Sequence, residues 1–275
     1  MLDVTIVDRH TGDPTACRVN VVGPDGNYYE PSEQPLQPYN AQHAGCHVND
    51  ETHPPSRYYG WYFYTTGQFS VRVPAGKVRI EVWKGYEFAP VVPSLDSSAG
   101  DAWTVRLTLE RTVSMQEAGY YSGDTHIHMN RRNADDEEAA LAVVAAEDIQ
   151  YGFLLAMNEP RSYSGRMESQ TWPQQRGFGP DSVRQAGNYG IASAQEYRSK
   201  QYGHICLLMH RRLVLQGNTI DPNRWPVFGL VAQRTRALGG YSFYAHGGYS
   251  QEIYADYVQH AVDGVELLQM AHYRG

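Results

Sequence analysis

The sequence predicts an all-β sandwich over residues 1–112, followed by an α/β domain over residues 120–275. In the first part of the chain, apolar and polar residues alternate with a period of two, which is typical of strands with one buried face. After the segment TVSMQEAGYY, apolar strand-like runs alternate with helix-like runs. This second pattern indicates a largely parallel α/β arrangement, either an open sheet or a barrel.

The alternation is clearest in KVRIEVW, where Val78, Ile80 and Val82 share one face and charged residues occupy the other. The same pattern occurs in VTIV, CRVNVV, FSVRV and WTVRLTLER, and the turn sequences GPDG and PAGK lie between strands. Such half-buried strands are expected to pair in antiparallel fashion. No helix-like period appears before about Asn133, which supports an all-β first domain.

The second part of the chain begins with a helix signal. In NADDEEAALAVVAAED, Asn133 is the expected N-cap, and acidic residues fill the first turn, where the helix dipole favours them. Further strands are predicted at YGFLLAMN, YGHICLLM, YSFYAH and VDGVELLQ, and a further helix at RWPVFGLVAQRTRALG. Residues 160–190 lack periodicity and are rich in Gly, Ser, Pro, Gln and Arg, which predicts a long loop.

Composition argues against several classes of protein. The chain has 275 residues and a formal net charge of -7, which disfavours a general nucleic-acid-binding protein. Its three cysteines imply no disulfide framework. No run approaches the roughly 20 apolar residues that cross a bilayer, and the N-terminus has no signal-peptide pattern. We expect a cytoplasmic protein without nucleic-acid or membrane partners, although a secreted chain that has lost its signal peptide would have the same sequence.

Five residues form a candidate metal site. In YYSGDTHIHMN, His126 and His128 lie two apart in a predicted strand and therefore share one face. His246 ends the strand YSFYAH, and His204 opens another strand, eight residues after Glu196. Catalytic groups of barrel enzymes gather at strand ends, and imidazoles with a carboxylate suit zinc, manganese or iron. Asp124 is expected to accept the second ring N–H of one ligand.

Two other interpretations of these histidines stay open. A His-x-His pair on a strand is also typical of an ordinary polar, solvated face. A rival metal site lies in the HAGCH region, although a solvated loop is the favoured interpretation there; its members are His43, Cys46, His47 and His53. The remaining histidines are interpreted as structural: His10, His210, His260 and His272.

Several segments resemble motifs of one enzyme superfamily. They are YYSGDTHIHMN, AEDIQYGFLLAMNE, SAQEYRSKQYGHICLL, GGYSFYAHGGY and VDGVELLQMAHYRG. They resemble the carbaryl-hydrolase-like (CehA/McbA) branch of the polymerase-and-histidinol-phosphatase (PHP) metallohydrolase superfamily. The earlier segment FYTTGQFSVRVPAGKVRIEVWKGYEF resembles the carboxypeptidase-regulatory-like β-domain that such proteins carry.

The resemblance implies a distorted (β/α) PHP-type barrel that holds a divalent metal. The implied ligands are His126, His128, Glu196 as a bridging carboxylate, His204 and His246. The chain departs from the family pattern, since Asn158 and Glu159 replace an Asp-His pair and the late Gly-Thr-Asp motif is missing. Only six residues follow the strand VDGVELLQ, so the barrel is expected to lack its last strand or strands. The chain would then be a fragment, an open domain, or part of a homo-oligomer or assembly that covers the open edge.

The expected function is metal-dependent hydrolysis of a small-molecule ester, carbamate, amide or phosphoester by activated water. The predicted catalytic residues are Asp124 and Asn158, and the predicted substrate-binding residues are Arg131, Arg132 and Arg161. These arginines would hold an anionic oxygen of the substrate, or would be ordinary surface cations. The alternatives are a phosphatase or nuclease of the same superfamily, and a non-catalytic structural or binding protein that keeps an incomplete metal site.

Overall fold

The structure, a computed structural model, describes residues 1–32, 36, 62–97, 102–160, 167–172, 175–199, 201–214, 225–248 and 252–266. At 97, 158–160, 167–172 and 247–248 it describes the backbone alone. The chain divides into two compact units. They are Met1–Ser122 with Glu138–Gln150, and Gly123–Glu137 with Tyr151–Gly275. The domain boundaries expected from the sequence stay a prediction.

The first unit contains two β-sheets. Its strands are β1 (Leu2–Asp8), β2 (Cys17–Val22), β3 (Tyr28–Tyr29), β4 (Phe63–Thr65), β5 (Gln68–Val71), β6 (Gly76–Trp83), β7 (Phe88–Ala89), β8 (Ser94–Ser97) and β9 (Trp103–Arg111). One sheet has the order β5-β1-β9-β7, and the other has the order β3-β2-β6-β8 with β4 paired to β2. The pairs are antiparallel except for β1 and β9, which are parallel.

The two sheets of the first unit share one apolar core. Val4 and Ile6 of β1 pack in the same buried cluster as Val19 of β2 and Ile80 and Val82 of β6. Because side chains alternate between the faces of a strand, every second residue contributes to this core. The period-two pattern of the sequence thus accounts for the buried faces of both sheets.

The second unit is built around a single mixed sheet. Its elements are β10 (Gly123–Ile127), the start of α1 (Ala134–Ala146), β11 (Tyr151–Pro160), β12 (Met167–Trp172), β13 (Arg184–Ala186), β14 (Tyr189–Ser199), β15 (Gly203–Leu208), α2 (Phe228–Ala237), β16 (Tyr241–Tyr244), α3 (Ile253–Val258) and β17 (Gly264–Val265). The sheet has the order β10-β11-β14-β15-β16-β17, with β12 paired to β11 and β13 paired to β14.

Helix α1 follows the local signals of its sequence. Oδ1 of Asn133 accepts the main-chain N–H of Asp136 at 2.8 Å, which is the expected N-cap bond. At the other end, within the first unit, the buried amine of Lys84 donates to the carbonyl oxygen of Ala145 and, at 2.9 Å, to that of Ala16. A cation at the last turn of a helix satisfies a free carbonyl and complements the dipole.

The predicted (β/α) barrel is wrong. Of the described residues, 42% lie in strands and 19% in helices, with three α-helices, and the second sheet is a half-barrel. The strands β14 and β15 are antiparallel and lie only four residues apart in sequence, so no helix connects them. The range 160–190, predicted as a loop, contains β12, β13 and a 3₁₀ turn at Gly179–Ser182 among its described residues. Apolar runs of this length do not reveal the direction of the strands they form.

Candidate metal centre

Glu196 lies at the centre of a cluster of four histidines. Its strand, β14, pairs with β11 and with β15, and its side chain is completely buried. Its Oε1 atom lies 2.7 Å from Nδ1 of His204, 3.7 Å from Nε2 of His126 and 3.9 Å from Nε2 of His246. Its Oε2 atom lies 3.4 Å from Nε2 of His128. The structure thus brings together all five residues expected to be metal ligands.

His126 and His128 face this carboxylate because they lie two residues apart at the end of β10. The pairing of β10 with β11 shifts register between Asp124 and Ile127, where β10 has one residue more than its partner. Bulges of this kind redirect side chains and are frequent beside active sites. The two imidazole rings lie edge to face, with centroids 5.0 Å apart.

His204 and His246 reach the carboxylate from two later strands. His204 lies on β15, in a register that places Cys206 directly opposite Glu196. His246 follows β16 in a 3₁₀ turn, and its φ of 59° lies in the left-handed region that residues other than glycine seldom adopt. The ring centroids of His204 and His246 are 5.0 Å apart.

Burial and neighbouring groups shift the pKa values of the cluster. Burial opposes the ionisation of Glu196, but His204 and Arg198 outweigh it, so the pKa of the carboxyl lies well below its usual range. Burial lowers the pKa of His128 to about 4, and burial together with the neighbouring histidines lowers the pKa of His246 to about 4. Both imidazoles are therefore neutral near neutral pH, which is the form that binds a metal ion.

The donor atoms around Glu196 fit a cation. Nδ1 of His126 lies 3.1 Å from both carboxylate oxygens of Glu266, and an ionised carboxylate can only accept a hydrogen bond. The ring proton therefore lies on Nδ1, which leaves the Nε2 lone pair facing Oε1 of Glu196 at 3.7 Å. Two buried acceptors that face each other are unfavourable unless a proton or a metal ion lies between them. Burial lowers the pKa of His126, but the two glutamates outweigh it and raise the pKa above its ordinary value, as a site that attracts a cation should.

Among the described residues, three groups of side chains could hold a metal ion, and two of them include Glu196. These two are His126, His128 and Glu196, and Glu196, His204 and His246. Within each group the ligand atoms all lie within 4.8 Å of one another. Tetrahedral ligands about 2.1 Å from a zinc ion are about 3.4 Å apart. Small side-chain shifts would therefore bring the ligand atoms of either group that contains Glu196 to this spacing. Two imidazoles with one carboxylate suit zinc, manganese or iron.

Glu266 belongs to this site, although the histidine pattern did not point to it. It follows β17, and its carboxylate accepts the Nδ1–H of His126, the hydroxyl of Thr125 at 2.8 Å and the main-chain N–H of His246 at 2.9 Å. Burial opposes its ionisation, but His126 and the other donors lower the pKa of Glu266 to about 2. The available sequence signal was one acidic residue inside the apolar segment GVELL.

Cys206 and Arg198 also contact the two carboxylates. Sγ of the buried Cys206 lies 3.4 Å from Nδ1 of His126 and 3.5 Å from Oε1 of Glu266, which makes a third group that could hold a metal ion. Burial, and then the charge of Glu266, raises the pKa of this thiol well above its ordinary value, so the sulfur stays protonated. Arg198 donates to Oε2 of Glu196 from Nη2 at 2.8 Å and from Nε at 3.0 Å.

The two predicted catalytic residues lie near this cluster in the chain. Asp124 is predicted to accept a ring N–H of one ligand, but its Oδ1 accepts the main-chain N–H of His126 at 2.8 Å instead, which stabilises the bulge. Burial raises the pKa of its carboxyl. Asn158 lies on β11 opposite Thr171 of β12, and only its backbone is described, so its catalytic role stays a prediction.

The three arginines expected to bind substrate differ in their surroundings. Arg131 is fully buried and donates to Glu137 from Nη2 at 2.9 Å and to Ser193 from Nη1 at 3.0 Å. These contacts make it a structural residue, so the geometry gives no support to a substrate contact. The side chain of Arg132 is 54% exposed and pairs with Asp136, from Nε to Oδ2 at 2.9 Å and from Nη2 to Oδ1 at 3.1 Å, so a substrate anion would compete with this carboxylate. Arg161 and the rival HAGCH cluster lie outside the described residues.

Comparison with known proteins adds no family assignment. No protein-family model matches the chain, and no curated protein matches it. The resemblance to the PHP superfamily therefore stays a prediction that rests on the quoted motifs. Within the described ranges, no helix has both the length and the apolar character that crossing a membrane requires.

Proposed function

We propose that the chain is a metal-dependent hydrolase that acts on a small molecule. The observation that carries the proposal is the convergence of four imidazoles on the buried carboxylate of Glu196. A carboxylate that served only packing would not need four neighbouring imidazoles, and two of these are held neutral by burial. Perturbed pKa values in a cluster of convergent polar groups are typical of catalytic sites.

The proposed metal is zinc, manganese or iron, held by Glu196 with two or more of the four histidines. A divalent ion supplies a Lewis acid, which makes water acidic enough to act as a nucleophile near neutral pH. Glu196 and the neutral imidazoles would bind and orient the ion. The guanidinium of Arg198, already on Oε2 of Glu196, would keep that carboxylate ionised at the pH of catalysis.

The proposed substrates are small esters, carbamates, amides or phosphoesters. Each of them develops negative charge on oxygen during hydrolysis, which a cationic site stabilises. Arg132, which is partly exposed, is proposed to hold an anionic oxygen of the substrate. The net charge of -7 disfavours a polynucleotide substrate. The resemblance of the HxH, Glu and AH motifs to those of PHP metallohydrolases supports the same reaction class.

One observation favours a second candidate, a non-catalytic protein with a structural metal site. Both Nη2 and Nε of Arg198 lie within hydrogen-bonding distance of Oε2 of Glu196. This arginine therefore competes with a metal ion for the oxygen nearest to His128. If Arg198 keeps Oε2, the cluster binds a single ion through Oε1 and lacks a second metal position for catalysis.

Metal content and turnover distinguish the two candidates. Purified protein would be analysed for bound metal and then assayed on p-nitrophenyl esters and phosphoesters with added zinc or manganese. We expect bound metal and turnover in the wild type, and loss of both in Glu196→Gln. The matched control is Glu252→Gln, because Glu252 is a buried glutamate of the same unit that caps α2 through the N–H groups of Val227 and Phe228.

Bound metal without turnover would favour the structural candidate, and absence of both would contradict the proposal. The expected homo-oligomer stays a prediction, which analytical ultracentrifugation would check. The expected cytoplasmic location likewise stays a prediction.

A further inference from the structure

The carboxylate of Glu266 joins three strand ends of the second unit. It follows β17, and it accepts hydrogen bonds from Thr125 and His126 of β10 and from the main-chain N–H of His246 after β16. A fourth contact comes from the thiol of Cys206 on β15, at 3.5 Å from Oε1. One side chain therefore links four strands beside the histidine cluster.

Glu266 determines which nitrogen of His126 faces Glu196. Both carboxylate oxygens of Glu266 lie 3.1 Å from Nδ1 of His126, and Nε2 of the same ring lies 3.7 Å from Oε1 of Glu196. A flip of the ring would bring a carbon atom against the Glu266 carboxylate and lose this hydrogen bond. The contact thus selects the Nδ1–H tautomer and leaves Nε2 available as a metal ligand.

Glu266 also holds the backbone of a second histidine. The N–H of His246 donates to Oε2 of Glu266 at 2.9 Å, and the φ of His246 is 59°. A left-handed conformation is unfavourable for a residue other than glycine, so it needs contacts that maintain it. The hydrogen bond is one such contact, and it keeps the His246 ring 5.0 Å from that of His204.

A direct ligand role for Glu266 is the competing explanation, because His126, Cys206 and Glu266 also form a group that could hold a metal ion. Two features oppose it. Nδ1 of His126 cannot both donate to Glu266 and bind a metal. The thiol of Cys206 is fully buried and donates toward the same carboxylate, whereas a metal ligand would have to be a thiolate.

We propose that Glu266 is a positioning residue of the metal centre, which orients His126 through its ring N–H and His246 through its backbone. The inference rests on the proposed metal-dependent function. It replaces the role expected for Asp124, whose carboxylate contacts the main chain of His126 instead of the ring. Carboxylates that orient a metal-binding histidine in this way raise its basicity and hold its ring in place.

The first test measures zinc affinity by competition with a chromophoric chelator. Glu266→Gln keeps the size of the side chain and removes its charge, and we expect zinc binding to weaken about 10–100-fold. Thr125→Val removes only the hydroxyl that donates to Glu266, and it should weaken binding less while perturbing the fold less. The matched control, Asp263→Asn, changes a carboxylate that accepts the N–H of Ser242 and should leave zinc affinity unchanged. Unchanged affinity in Glu266→Gln would overturn the proposal.

The second test uses cobalt(II) in place of zinc. If Glu266 acts through His126, the cobalt complex lacks a thiolate charge-transfer absorption, and Cys206→Ala leaves the spectrum and the affinity as they are. A thiolate absorption that disappears in Cys206→Ala would show that Cys206 is a ligand, which would place the ion in the group of His126, Cys206 and Glu266. That result would overturn the positioning role.

A third test needs no metal, so it separates failure of the inference from failure of the proposed function. Nitrogen NMR of the metal-free wild type at alkaline pH reports the tautomer of His126. We expect the proton on Nδ1 in the wild type, and a mixture of tautomers in Glu266→Gln. A wild-type Nε2–H tautomer would overturn the proposal, even if the protein binds zinc. If the protein binds no metal but shows the Nδ1–H tautomer, the proposed function fails and the orienting contact stands.

Discussion

Nδ1 of His204 lies 2.7 Å from Oε1 of Glu196, across two adjacent antiparallel strands. The contact is diagonal, because the register of β14 and β15 places His204 opposite Arg198 and Glu196 opposite Cys206. Diagonal neighbours on one face of a sheet are within reach of long side chains. Because His126, His128 and His246 surround the same carboxylate, the proposed binding of a metal ion should depend on this one residue.

Divalent metal should stabilise the wild-type protein against heat. An ion that binds only the folded state adds about 2.7 kcal/mol at a concentration 100 times its Kd, and the melting temperature Tm rises accordingly. We expect zinc or manganese to raise the Tm of the wild type by several degrees, and EDTA to reverse the change. Differential scanning calorimetry of Glu196→Gln should show no metal-dependent shift. A shift of wild-type size in this variant would place the metal elsewhere.

Loss of a histidine ligand should weaken metal binding more than loss of an orienting group. His126→Ala removes one of the two groups that contain Glu196 and leaves the group with His204 and His246. We expect zinc affinity to fall more than about 100-fold, since even outer contacts of a ligand contribute 10–100-fold. Equilibrium dialysis with elemental analysis measures both affinity and stoichiometry. The control is His10→Ala at an exposed position, and unchanged affinity and stoichiometry in both His126→Ala and Glu196→Gln would favour the HAGCH region as the binding site.

Arg131 should contribute to stability, whereas its neighbour Arg132 should not. The guanidinium of Arg131 is fully buried and paired with Glu137 at 2.9 Å. Arg131→Met would remove the hydrogen bonds to Glu137 and Ser193, but Glu137 would keep its ion pair with Arg176 at 3.0 Å, so we expect a cost of about 1–3 kcal/mol. Urea unfolding measures the change. Arg132→Met alters a largely exposed cation and should leave the free energy of unfolding within error of the wild type, while raising KM if Arg132 binds substrate.

The buried amine of Lys84 should make stability depend on alkaline pH. Burial lowers the pKa of Lys84 below its ordinary value of 10.5. Between the lowered folded pKa and 10.5, the unfolded chain binds more protons than the folded protein, so stability increases as pH rises through this window. We expect Lys84→Met to be less stable than the wild type, because the carbonyl oxygens of Ala16 and Ala145 lose a donor.

The difference in the free energy of unfolding between the wild type and Lys84→Met should also widen from about pH 8 to about pH 10. Only the wild type becomes more stable through deprotonation of this amine. Urea unfolding at the two pH values measures it. Lys77→Met, at an exposed position of β6, serves as the control and should follow the wild type at both pH values. A stability difference that stays constant with pH would contradict the lowered pKa of Lys84 as its cause.

Local periodicity in the sequence determined several features of this protein. The two-residue spacing of His126 and His128 places both rings on one side of β10, where they face Glu196. The cap at Asn133 and the acidic first turn specify the start of α1, as the hydrogen bond to Asp136 confirms. Features of this kind depend on neighbours within one turn or one strand, so no knowledge of distant segments is required.

The tertiary structure alone decided how the strands pair and which distant groups meet. An apolar run such as YGIASAQEY or GHICLL is equally compatible with a parallel or an antiparallel partner, which is why the expected barrel was wrong and a mixed half-barrel formed. Glu266 lies 140 residues from His126 in the chain, and the sequence marks it only as one acid in an apolar strand. Its role arises because the sheet curves until β17 lies beside the end of β10, and contacts of that range are properties of the folded chain.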